Sequence, residues 1–173
     1  MACLMCLWGT ACVPHEDEPS LLDFELHHNS IFIKIQTDLE VLFDIGFEEI
    51  DLSYLIKENS LNKTVSENPP NLDIIDAVFR NWPLIKSDLF FVVDGGPLEL
   101  ELSDVLLEVP NPITHGIPII LSINALIPIG STFLTLGWND KLGDLVVRQQ
   151  GDRETLYTEY MTKGMKTSKI QLE

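Results

Sequence analysis

The chain is expected to be mainly β within the α+β class: an antiparallel β-sandwich or barrel, with one or two short helices inserted between residues 51 and 82. Three observations lead there. From Pro97, Leu98, Leu100 and Leu102 alternate with Glu99, Glu101 and Ser103, the period of two that gives a strand one buried and one wet face. Leu89–Val93 closes on Asp94-Gly95-Gly96, and an apolar run ending on Asp-Gly signals a hairpin because glycine accepts the positive φ of a tight turn. Short apolar runs then recur as far as Arg148 with turn residues between them, which predicts five or six strands.

Taken in order, residues 1–20 form a flexible or zinc-stapled N-terminal segment, 21–150 a single β-rich domain, and 151–173 a polar C-terminal tail. Met1–Cys12 is apolar and short, with no basic residue ahead of it, so it does not read as a secretory signal. All three cysteines lie here, and an odd number is no disulfide framework; a reducing, cytoplasmic setting is expected. With His15 they form two pairs of equal spacing, Cys3-Leu-Met-Cys6 and Cys12-Val-Pro-His15. Three thiolates and one imidazole could close a structural tetrahedral zinc site. The competing reading is a frayed terminus, or a first strand whose cysteines behave as small apolar residues. No other cofactor is expected.

Leu21-Leu22-Asp23-Phe24-Glu25 resembles a clathrin-box peptide, whose alternate hydrophobic side chains fill grooves of a partner; if the segment is a strand, the motif is out of reach. His27-His28 beside Asn29-Ser30 reads as a turn, and adjacent histidines on a strand would point to opposite faces. Ile31–Ile35 and Leu39–Ile45 read as two strands of a hairpin about Gln36-Thr37-Asp38. Phe47-Glu48-Glu49-Ile50, flanked by Asp44 and Asp51, resembles the aromatic-x-x-aliphatic peptide that adds a strand to autophagy-receptor-binding proteins. The other reading of Phe47 and Ile50 is core.

Asp51–Glu58 suggests a short helix with Leu52, Leu55 and Ile56 on one face, and Asn59–Asn71 is a polar loop around Pro69-Pro70. A helix is expected over Leu72–Asn81, with Ile74, Ile75, Val78 and Phe79 as its apolar face. It should stop near Trp82-Pro83, because a proline ring disfavours helix in the residue before it. Val109-Pro110-Asn111-Pro112 and His115-Gly116 mark a reversal, Gly130-Ser131 breaks the run Ile117–Ile129, and Asn139-Asp140 ends the run Phe133–Trp138. In the tail, Arg153–Met161 reads as partly helical and the remainder as a solvated end.

Charge bounds the partners. With 11 Lys+Arg against 27 Asp+Glu the net charge is −16, which argues against a nucleic-acid backbone as ligand, since phosphates need a basic footprint. Five of the eleven basic residues gather late, at Arg148, Arg153, Lys163, Lys166 and Lys169, so the chain is acidic in front and mildly basic behind. The expected partner is a protein, of basic character or a second copy of the chain.

No nucleophile elbow, phosphate-binding glycine loop with lysine, or H-E-x-x-H occurs. Glu99 and Glu101 lie about 7 Å apart on one strand face, a spacing that any wet face shows. The leading expectation is a non-catalytic, acidic, β-rich interaction or assembly module, of the kind found among viral structural and accessory proteins. The first alternative is a membrane-associated protein with a span at 117–138, since no charged residue lies between Glu108 and Asp140. Against it stand Pro118, Pro128 and Asn124. A hydrolase with a scattered site, needing a pocket around His115 or a carboxylate pair, is the second alternative.

Overall fold

The computed structural model describes residues 19–43, 70–108, 117–152 and 154–172. They form two sheets and two helices in the order β1 (Ser20–His27), β2 (Ser30–Asp38), α1 (Leu39–Phe43), α2 (Pro70–Ser87), β3 (Val92–Val93), β4 (Gly96–Pro97), β5 (Leu100–Leu107), β6 (Pro118–Leu126), β7 (Phe133–Thr135), β8 (Leu145–Gln150), β9 (Thr155–Met161) and β10 (Ile170–Gln171). The large sheet runs β5-β6-β2-β1-β8-β9 and the small one β10-β7-β3-β4. β5 and β9 end the large sheet without pairing with each other, so the molecule is a β-rich α+β fold and not a closed barrel. All pairings are antiparallel except that of β1 with β8.

Period-two patterning builds the buried face. Leu22 and Phe24 of β1, Ile31, Ile33 and Ile35 of β2, Ile119, Leu121 and Ile123 of β6, and Leu145 and Val147 of β8 are all buried on one side of the large sheet. They join Ile74, Ala77, Val78 and Ile85 of α2 and Leu134, Leu136 and Trp138 beneath the small sheet in one apolar cluster. Fully burying one such side chain contributes roughly 1.5–3 kcal/mol. The expected alternation in β5 holds at Leu100 and Leu102, then shifts where Ser103 is inserted opposite β6, so that Val105 faces inward instead of Asp104. The Ser103 hydroxyl donates to the Ser122 carbonyl at 2.9 Å across this bulge.

Asp94-Gly95 forms the expected two-residue turn between β3 and β4, with φ of 48° at Asp94 and 87° at Gly95. Positive φ at both central residues is what joins strands with the native twist. The Asp94 carboxylate accepts from the backbone N–H of Thr132 (2.7 Å) and Phe133 (3.0 Å), tying this turn to the start of β7. His28-Asn29 is likewise a turn, between β1 and β2, with His28 at φ 52°.

Three expectations are corrected. Gln36-Thr37-Asp38 is no hairpin turn: β2 continues through it because Thr37 takes the next inward position after Ile35, buried and sharing a 2.7 Å hydroxyl hydrogen bond with Ser20. The run beginning at Leu39 is helix α1. The second helix starts at Pro70, inside the segment read as loop, and passes through Pro83 to Ser87. Proline costs a helix interior about 3 kcal/mol, against which stands the burial of Ile85, two turns beyond Val78 on the same face. The inward face of this helix includes Ala77, whereas Phe79 is exposed. Residues 117–138 are, as the β reading expects, strand β6, a turn at Ile129-Gly130 and strand β7, and not the single span of the alternative; among the described residues no helix is long and apolar enough to cross a membrane.

The residues expected to be a polar, partly helical tail instead complete both sheets. Thr155–Met161 is β9, antiparallel to β8, and Ile170 pairs with Leu134 of β7. Between them, Thr167 is buried and exchanges two hydrogen bonds with Leu136, its hydroxyl accepting at 2.9 Å and its N–H donating at 2.7 Å. Gly137 permits this approach, since a Cβ there would lie 2.8 Å from the Met165 carbonyl oxygen. The helix read over Asp51–Glu58 falls outside the described residues.

Urea unfolding should show Ile33→Ala destabilised by roughly 2–5 kcal/mol and Leu156→Ala, on the exposed face of β9, by no more than about 0.5 kcal/mol. A chain ended at Gln150 is expected to lose its cooperative transition, because β9 and β10 contribute Met161 and Ile170 to the buried cluster.

Candidate interaction surface

One face of the large sheet is packed on the core; on the other, the outward residues of the middle strands are half-buried (Leu21, Asp23, Ile120, Ser122, Val146) or exposed (Lys34, Gln36). The same alternation that buries Leu22 and Phe24 turns Leu21, Asp23 and Glu25 outward, and the registers align the outward positions into rows. One row reads Leu106, Ile120, Gln36, Leu21, Val146 and Tyr160 from β5 to β9, and the next reads Asp104, Ser122, Lys34, Asp23, Arg148 and Thr158. An apolar row thus lies beside a charged one. Leu106, Leu156 and Tyr160 are more than half exposed and Leu126 is 79 % exposed, where a strand with a covered back would bury them.

The charged row is built around Asp23. Its carboxylate takes both arms of Arg148, Nε and Nη2 each donating at 2.7 Å, and the Gln150 side-chain amide donates at 2.9 Å. Asp23 and Arg148 are directly paired in the parallel register of β1 and β8, so the geometry follows from the backbone and not from a reach across the surface. The side chains are 24 % and 35 % exposed. Partial burial raises the Asp23 carboxyl; the hydrogen bonds from Arg148 and Gln150, with the charges of Arg148 and Lys34, outweigh it and hold the group below the ordinary carboxylate range. The same hydrogen bond raises Arg148.

The two ends of the sheet differ. β5 carries Glu101, Asp104 and the bulge at Ser103, devices that blunt an edge against further pairing. β9, Thr-Leu-Tyr-Thr-Glu-Tyr-Met, also has a bulge, at Leu156 opposite Gln149-Gln150 of β8, but carries no lysine and no proline. Its charged side chain, Glu159, points to the core side, where its carboxylate accepts from the hydroxyl of Tyr157 and from the Ser168 N–H at 3.0 Å. The outward side chains of β9 are Leu156, Thr158 and Tyr160, and the Tyr160 hydroxyl donates to Asp144.

The sequence-predicted site residues fall in three groups. Leu22 and Phe24 are buried in β1, a strand flanked on both sides, while Leu21 and Glu25 face outward; the folded segment is not an available clathrin-box peptide. Cys3, Cys6, Cys12, His15, Phe47, Ile50 and His115 lie outside the described residues. Among the described residues no cluster of three or more His, Cys, Asp or Glu side chains could hold a metal ion. Glu99 and Glu101 are both exposed on or next to β5, and Glu99 is paired with Lys86 of α2. Sequence reasoning passed over Asp23–Arg148–Gln150 because 125 residues separate the first two. It passed over β9 because two of its three core-side residues, Tyr157 and Glu159, are polar, so the strand shows little alternation of apolar and polar residues.

The fold and this surface define a class, a mixed sheet whose two edge strands differ in the charge of their outward side chains. No protein-family model and no curated protein sequence matches this chain.

Asp23 titrates lower in the folded chain than in the unfolded one, so the ionised form favours folding. Its contribution is complete above the unfolded value of about 3.9 and disappears as pH falls through the lower folded value. Asp23→Asn should cost about 1 kcal/mol at neutral pH, a figure discounted for partial exposure. Denaturation curves of the two chains recorded from pH 7 downward should converge as the solution becomes more acidic than that unfolded value.

Proposed function

We propose that this chain is a non-catalytic assembly module that joins a second copy of itself edge to edge through β9. The observation that carries the reading is the self-complementarity of that strand. In an antiparallel pair about a two-fold axis at Thr158, Leu156, the residue added at the bulge in β9, faces Tyr160 of the second copy twice, on the open side. Tyr157 faces Glu159 of the second copy twice, on the core side. Aromatic–aliphatic cross-strand pairs of this kind each contribute roughly 0.2–1 kcal/mol. A C2 interface needs such self-complementarity, since each copy presents the same patch. Pairing would extend two six-stranded sheets into one continuous sheet and bring the apolar rows of both copies onto one face.

Charge sets the conditions. Two chains of −16 repel, yet no charged side chain of β9 projects on the open side. The repulsion is therefore long-range and is screened beyond about 10 Å at 0.1 M salt. Association driven by strand pairing and apolar contact survives that screening, so the dimer should strengthen as salt is raised, opposite to a complex held by ion pairs.

Sedimentation equilibrium tests the reading directly. The wild-type chain is expected to dimerise, Thr158→Lys and Thr158→Glu each to be monomeric through like charges facing across the axis, and an equimolar mixture of the two variants to form a mixed dimer. A wild-type chain that stays monomeric up to its solubility limit, at low and high salt alike, overturns it.

A further inference from the structure

A second surface, on the opposite part of the molecule's sheet system, is independent of β9. The outward side of the small sheet holds an open depression of about 450 Å³ lined by Val92, Asp94, Gly95, Phe133, Thr135, Lys166 and Lys169. Val92 and Thr135 are register partners on β3 and β7, and Phe133 lies two residues before Thr135 on the same side, so the floor is largely apolar. Lys166 and Lys169 complete the lining.

Both lysines are held in place. The Lys166 backbone bridges to Gly137 by the close approach that a glycine allows there, and its ammonium lies 4.7 Å above the centre of the Phe90 ring. The Lys169 ammonium lies 5.5 Å above the ring of Phe133, one residue before the strand that pairs with β7. An ammonium over an aromatic face is attracted by the ring quadrupole but keeps its charge and its donors. Neither lysine forms an ion pair among the described residues. Asp94 also borders the depression, and both its oxygens are engaged by the N–H groups of Thr132 and Phe133. In a chain of net charge −16, two ammonium groups beside an apolar floor, with the nearby carboxylate turned to backbone donors, make a local site of opposite preference.

We infer that this depression binds a small amphipathic oxyanion, with its apolar body on Val92, Phe133 and Thr135 and its carboxylate or phosphate between Lys166 and Lys169. An inorganic anion would use the lysines alone and leave the floor wet. A neutral apolar molecule would use the floor alone. The geometry favours a ligand that does both, because each half supplies what the other lacks.

Amide chemical shifts of the full chain provide the test, with phenyl phosphate, benzoate, inorganic phosphate and benzyl alcohol as probes. Saturable shifts at Val92, Phe133 and Thr135 are expected from phenyl phosphate or benzoate, at lower concentration than from inorganic phosphate or benzyl alcohol. The order of the two aromatic anions assigns the headgroup: phenyl phosphate ahead points to a phosphomonoester, benzoate ahead to a carboxylate. The double variant Lys166→Gln, Lys169→Gln replaces two exposed side chains and should keep the parent's spectrum elsewhere while losing about tenfold or more in affinity, one factor of ten being 1.4 kcal/mol. Lys141→Gln should change nothing. The inference is overturned if neither aromatic anion gives a saturable shift at these residues, or if the double variant binds them as the parent does.

Discussion

The parallel seam between β1 and β8 is the constraint on which the described structure turns. On one side of it lie β2, β6 and β5, each joined to its neighbour by antiparallel pairing; on the other lies β9, joined to β8. Without the seam the large sheet is two separate pieces, and neither would bury the cluster that Leu22, Phe24, Leu145 and Val147 fill together. The register of a strand pair is exacting, because a slip of one residue exchanges the two faces. Here it is specified from both sides: apolar partners such as Leu22 and Val147 below, and Asp23 opposite Arg148 above. A slip that buried Arg148 would leave its guanidinium unpaired in the core, a penalty several times the net value of the ion pair itself.

That arrangement also explains how a strongly acidic chain carries a sheet face that no described element covers. The outward side cannot be made uniformly apolar without inviting aggregation, nor uniformly acidic without self-repulsion. Alternating rows of apolar and charged residues are the compromise that the registers enforce. The β5 edge carries outward charge and a bulge at Ser103; the β9 edge carries a bulge at Leu156 and the inward-pointing Glu159 and has no charge on its open side. The small sheet, with its turn locked by Asp94 and its two lysines laid over phenylalanine rings, presents a different chemistry from the large one.

How far the sequence could be read differs from element to element. The turn at Asp94-Gly95 was legible because its chemistry is local, needing only two residues that accept positive φ. The strand at Leu100 was legible because one face is wet. The helix through Pro83 was not, because the local penalty of proline is outweighed by a distant partner for Ile85. The hairpin expected at Gln36-Thr37-Asp38 failed for a similar reason: polar residues read as a turn until Ser20, brought in by β1, gives Thr37 a buried hydroxyl partner. Leu21–Glu25 had the look of a recognition peptide because a buried strand and an extended peptide ligand share one pattern.

The sequence by itself determined the β-rich class, the alternation at Leu100 and Leu102 that starts β5, and the tight turn at Asp94-Gly95, since each of these follows from period and from backbone preference over a few residues. Tertiary structure alone decided that β1 meets β8 in parallel, that residues 155–161 are an edge strand and not a helix, and that Lys166 and Lys169 face an apolar floor. Those outcomes depend on pairing between segments far apart in the chain, where the free energy resides in a register and a shared core that no local window contains.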